Sequence, residues 1–79
     1  MTHQPLNDRQ REVLRRVALG DTNEEIGKRK IYATSSINSI VMTILAKLGA
    51  RNRTHAVYLG ILHEEIEIPI EEAQDEPGA

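Results

Sequence analysis

The sequence predicts an all-α domain of four short helices that ends in an acidic tail. Apolar residues recur at helical steps of three and four in several separate stretches. Most of these stretches open on a capping residue or close on a glycine. Beyond His63 the charged residues are all acidic. A chain of 79 residues has room for one domain. At this size about 60% of the unfolded chain's surface is buried on folding, so the core is small. With no cysteine, neither a disulfide nor a thiolate metal site staples it. Helix packing and self-association are left to supply the stability.

Asn7 followed three residues later by Gln10 reads as a capping box, and the first helix is predicted from about Asp8 to Leu19. Val13, Leu14, Val17 and Ala18 share its apolar face, and Gly20 supplies the left-handed stop. Thr22 with Glu25 repeats the capping signature ahead of a second helix over about Asn23 to Lys30, whose clearest core residue is Ile26. Ile31 to Ala33 is the expected turn. A third helix from about Thr34 to Leu48 carries the strongest stripe, Ile37, Ile40, Val41, Ile44, Leu45 and Leu48, and Gly49 ends it. Thr54 is the expected cap of a fourth helix over about His55 to His63, with Ala56, Val57, Leu59, Ile61 and Leu62 available for packing. Residues 1–63 are therefore read as the domain and 64–79 as a tail. The tail's alternating Glu and Ile predict an extended segment, Pro69 excludes a central helix or strand, and disorder is expected from about Glu71.

The formal net charge of −2 conceals a division. Through His63 ten basic residues face five acidic ones, a balance of +5, whereas the rest of the chain holds seven acidic residues and carries −7. A basic body suits a polyanionic partner. An acidic tail suits repulsion from that partner, masking of the body or a separate protein contact. His3, His55 and His63 lack metal-ligand spacing, since the two in one helix lie two turns apart. No nucleophile and base pair or glycine-rich phosphate loop is recognisable, so neither enzymatic activity nor a cofactor is expected. The apolar runs are too short to span a membrane, and the N-terminus lacks the basic and hydrophobic regions of a signal peptide. The cytoplasm is the expected compartment.

Four short helices, the second and third joined by a tight turn, meet the physical requirements of a helix-turn-helix, in which the third helix enters the DNA major groove. Many small helical bundles would give the same stripe, so periodicity alone does not establish it. The residues themselves are more specific. The stretches LNDRQREVLRRVALGDTNEEIGKRK and SSINSIVMTILAKLGARNRTHAV resemble the LuxR/GerE-type DNA-binding domain. That pattern runs L-S/T-x-R-E-x-E-V-L, then G-x-S/T-N-K-E-I-A, then T-V-K-x-H-x-x-N-I-x-x-K-L-G-V-x-x-R-T-E-A. The likeness covers Leu6 to about Leu62 without a gap, and its most specific matches are Arg9, Glu12-Val13-Leu14, Gly20, Thr22-Asn23, Glu25-Ile26, Ile44, Lys47-Leu48-Gly49 and Arg53-Thr54.

The resemblance implies a transcription regulator whose third helix reads DNA and whose fourth helix commonly forms a two-fold dimer contact. Larger members place this module behind a receiver or sensor, whereas five residues precede the motif here, so the expectation is a stand-alone module. The departures fall on the reading surface. Where the family has T-V-K-x-H, this chain has Ser36-Ile37-Asn38-Ser39-Ile40, which replaces a lysine by Asn38 and a histidine by Ile40. Base readout is then assigned to neutral groups, with Asn38 suited to adenine, Ser35, Ser36 and Ser39 to several bases, and Thr34 or Met42 to the thymine methyl. Phosphate contacts are expected from Thr22, Asn23, Lys28, Arg29, Lys47, Arg51 and Arg53. His55, Tyr58, Leu59 and Leu62 are the expected homodimer seam. Lys30 replaces a family leucine, and Tyr32-Ala33 replaces the usual I-S, which leaves Thr34 as the expected cap of the third helix. The competing reading is a repurposed module that binds another regulator or the transcription machinery, with the acidic tail as a further protein contact.

Overall fold

Asn7 starts the first helix as its spacing predicts. Its side-chain oxygen accepts from the Gln10 N–H at 2.8 Å while the Gln10 side chain accepts from the Asn7 N–H at 2.9 Å. A computed structural model describes residues 4–30 and 33–67, with Lys30 described by its backbone alone. Among these residues there are four helices and no strand: α1 (Asp8–Ala18), α2 (Asn23–Lys30), α3 (Thr34–Leu48) and α4 (Arg53–Leu62). The all-α expectation is therefore met. Leu19 caps α1, and Gly20, at φ 95°, carries the chain out. The Gly20 N–H reaches Val17 O and the Asp21 N–H reaches Arg16 O, both at 3.0 Å, which satisfies carbonyls that α1 leaves orphaned. Gly49, at φ 70°, ends α3 in the same manner.

Two of the expected caps are corrected. Ala33, not Thr34, is the N-cap of α3, and no side chain closes that end. Thr34 already lies within the first turn, while the Ala33 carbonyl accepts from Ser36 and Ile37. Asn52, not Thr54, caps α4, its Oδ1 accepting from the His55 N–H at 2.8 Å. Asn52 sits in extended backbone and is among the strongest capping residues, so it starts the helix before Thr54 is reached. The helix ends at Leu62, with His63 as its C-cap.

All four helices feed one core. Leu6, Val13, Leu14, Ile26, Ile37, Val41, Ile44, Leu48, Ala56 and Ile66 are buried together, and Ile40, Leu45, Val57 and Leu59 pack at its margin. The α3 stripe is thus core along its whole length. Within α2 only Ile26 reaches the cluster, which explains why that helix looks so weakly apolar in sequence. From α2 to α3 the chain direction changes by 110°, within the range of a helix-turn-helix corner. Ile31 and Tyr32 of the expected turn, and the side chain of Lys30, lie outside the described residues. No single helix among the described residues is long and apolar enough to cross a membrane.

The change of charge at Glu64 is not where packing ends. Ile66 is 7% exposed and belongs to the core, and Glu65 is buried beside it. Residues 64–67 therefore form a strap on the helical body, and the 63/64 division drawn from charge is corrected on that point. Charge composition marks solvation, whereas burial follows the apolar side chain. The extended and disordered segments expected beyond Glu67 lie outside the described residues.

Candidate nucleic-acid interface

α3 buries Ile37, Val41, Ile44 and Leu48, and that choice turns the opposite side outward. Thr34, Ser35, Ser36, Asn38, Ser39 and Met42, the residues assigned to base reading, are all exposed, and Met42 is 60% exposed. The exposed side continues through Thr43 and Ala46, neither of them among the residues assigned to base reading. A helical wheel extended from Met42 would have found both. The presented chemistry is hydroxyl, amide, thioether and methyl. Lys47, the only charged residue of α3, is half-buried and points its ammonium at the N-terminal arm.

The first turns of three helices meet beside this face. Asp21, Thr22, Asn23 and Glu24 from the start of α2, Thr34 from the start of α3 and Arg53 from the start of α4 line one open depression. Arg53 Nη1 donates to Asn23 Oδ1 at 2.7 Å and ties α4 to α2. Thr22 Oγ1 accepts from the Glu25 N–H at 3.1 Å while Glu25 Oε1 accepts from the Thr22 N–H at 2.8 Å, completing the second predicted capping box. Helix N-termini present unpaired N–H groups and the positive end of the helix dipole, which favour anions. Thr22, Asn23, Arg53 and Thr34 are thereby brought together. Asn23 and Arg53 also have structural work, since they are bonded to each other.

The remaining cations divide. Lys28 and Arg51 are exposed, and among the described residues neither side chain has a hydrogen-bond partner. Arg29 is held by its Nε, 3.1 Å from Asp21 Oδ2, and the same oxygen accepts from Arg16 Nε at 3.0 Å. Asp21 is only 13% exposed, so this carboxylate orients two guanidiniums at the corner between α1 and α2. Arg29 remains 56% exposed, with further donors on its fork. On the other side of the domain, Arg11 binds Glu65 at 3.2 Å and Arg15 reaches the Glu67 carbonyl at 3.4 Å. The basic character of α1 is thus partly met by the strap.

On α4, Tyr58 and Leu62 are exposed as a seam requires, and the His55 ring lies parallel to Tyr58 with centroids 6.3 Å apart. The Arg51 N–H donates to His55 Nδ1 at 3.0 Å, which fixes the ring. Leu59 is half-buried and packs against the core, one turn from Ala56. Ile61, assigned to packing by its sequence position, is instead 49% exposed and joins Tyr58 and Leu62 in an uncovered apolar patch.

Known proteins share the sequence pattern of these helices. The pattern of bacterial regulatory proteins of the LuxR family matches residues 4–59, which takes in all of α1, α2 and α3 and most of α4. The chain belongs to the LuxR family. Among the relatives of this LuxR-family chain, the uncharacterized transcriptional regulatory protein YxjL of Bacillus subtilis (strain 168) is 36% identical over 58 residues, 73% of this chain and 27% of that protein. YvfU of the same organism, also described as an uncharacterized transcriptional regulatory protein, is 36% identical over 52 residues, 66% of this chain and 26% of its own length. The putative HTH-type transcriptional regulator YhjB of Escherichia coli (strain K12) is 33% identical over 54 residues, 68% of this chain and 27% of its own. The chain spans about a quarter of the length of these relatives.

Proposed function

We propose that this LuxR-family chain is a DNA-binding transcription regulator that acts as a dimer, with α3 in the major groove. The observation that carries the reading is the exposed polar side of α3 beside the joined N-termini of α2, α3 and α4, within a chain that belongs to this family. Phosphate contact falls to Lys28, Arg29 and Arg51 and to the N–H groups of the first turns. Ser35, Asn38, Ser39 and Met42 read base edges without a charge. The apolar patch of Tyr58, Ile61 and Leu62 supplies the two-fold contact, and half-sites then lie about one helical turn apart.

Fluorescence-anisotropy titration of the full chain against a pool of duplex fragments tests this reading. Binding is expected at about 50 mM salt and declines steeply as salt rises. No binding at low salt refutes it. Lys28→Ala and Arg51→Ala are each expected to reduce the slope of log K against log salt by about 0.9 per site. Leu62→Glu is expected to convert a dimer to a monomer in sedimentation velocity, and an unchanged sedimentation coefficient would remove the α4 seam.

One observation favours a second reading. The solvent side of α3 carries no charge, as suits a protein surface as well as a base-reading one. On that reading the chain docks on another regulator or on the transcription machinery. Asn38→Ala and Ser39→Ala decide between them, because only base readout predicts lost discrimination among duplex sequences.

A further inference from the structure

Lys47 is placed by three hydrogen bonds rather than by solvent. Its Nζ donates to Gln10 Oε1 at 2.9 Å and to the Pro5 carbonyl at 3.3 Å, and its own carbonyl accepts from the Gln4 N–H at 2.8 Å. Gln10 is 8% exposed, and its Oε1 also accepts from the Asn7 N–H at 2.9 Å, so both lone pairs of that oxygen are in use. The last turn of α3, the arm at residues 4–7 and the first turn of α1 thus meet at one lysine.

We propose that Lys47 is a positioning residue for DNA recognition and not a phosphate contact. It pins the C-terminal end of α3 to the arm and to α1, and so sets the angle at which the exposed side of α3 is presented. The argument is one of competition. An ammonium with two good acceptors at a half-buried site gives up both to reach a phosphate, and leaves the buried Gln10 oxygen short of a donor. The family pattern has glutamate where this chain has Gln10, so here the pin is a charge-assisted hydrogen bond rather than an ion pair. This inference rests on the reading of α3 as the recognition helix.

Two measurements on the full chain test it. The first is a thermal-melt cycle of Gln10→Glu and Lys47→Met. With Lys47 present, Gln10→Glu is expected to hold or raise the melting temperature. In the Lys47→Met background it is expected to lower it, because a buried carboxylate loses its cation. Additive shifts overturn the attachment. The second is anisotropy across a salt series at a temperature where both proteins are fully folded. Lys47→Met is expected to weaken duplex binding about 2- to 10-fold, the range of one lost hydrogen bond, by the same factor at every salt concentration. A slope reduced by about 0.9 per site would make Lys47 a phosphate contact instead. Unchanged affinity would reduce its role to stability alone. If the wild-type chain binds no duplex at low salt, the proposed function falls while the melt cycle still decides whether Lys47 is attached to Gln10.

Discussion

Gly60 is buried where α4 packs on Leu14 of α1. A Cβ built there would lie 2.7 Å from Leu14 Cδ2 and 3.3 Å from Ile66 Cγ1. Leu14 is 2% exposed and has little freedom to withdraw, so Gly60→Ala is expected to destabilise by about 1–3 kcal/mol. In a domain of this size that lowers the melting temperature by roughly 4–8 °C per kcal/mol, and an unchanged melt would show that Leu14 repacks freely. The sequence gives no hint of this constraint, because a glycine inside a helix looks like a weakness until its neighbour across the packing is known. Capping residues are the opposite case. Asn7 with Gln10 and Thr22 with Glu25 were legible from spacing alone, since both partners lie within one turn. Thr54 misled because Asn52, two residues earlier, caps better.

The turn after α4 has the same form as the ends of α1 and α3, but without a glycine. Glu64 takes φ 60°, and the Glu64 and Glu65 N–H groups reach back to Ile61 O and Gly60 O at 3.0 and 2.7 Å. A side chain in the left-handed region costs roughly 1–2 kcal/mol. The burial of Ile66 and the Glu65 contacts with Arg11 and the Leu6 N–H hold the turn in place against that cost. Glu64→Gly is therefore expected to raise the melting temperature, with a net gain on the order of 0.5–1 kcal/mol after the added flexibility of glycine is allowed for. A lowered melting temperature would indicate that Glu64 makes a stabilising contact outweighing its strain. At this scale α2 and α3 were read from sequence with the bounds they have in the structure, because their caps, stripes and stops are local signals. The strap was read as tail, because its acidic residues outweighed one isoleucine in composition and not in packing.

For the whole molecule, where the tail is cut determines what is measured. Truncation after His63 removes Glu65 and Ile66 from the body. Burial of one isoleucine side chain is worth about 1.5–3 kcal/mol, so this truncation is expected to lower stability whatever it does to DNA binding. Truncation after Glu67 keeps the strap and removes only Glu71, Glu72, Asp75 and Glu76 among charged residues. It is expected to leave the melting temperature unchanged and to tighten duplex binding at low salt, with the difference fading as screening shortens the reach of charge. Equal affinities at low salt would show that the tail has no part in repelling the polyanion.

Four helices, the apolar stripe that places α3 at the centre, and the family are all legible in the order of the residues. Each of these rests on residues a few positions apart, where spacing dictates geometry. Tertiary structure alone decided which charges are available to a partner. Lys47 and Arg53 looked like phosphate contacts and are bonded to Gln10 and Asn23, 37 and 30 residues away in sequence. It likewise decided that Ile61 faces outward, Leu59 inward, and that an acidic segment closes the core against α1. The helix-turn-helix is thereby kept as a fold, while the exposed side of its third helix proves to be neutral. The physical reason is that a charge reads the same in sequence whether it meets water or a distant carbonyl, and only the packed chain brings the two together.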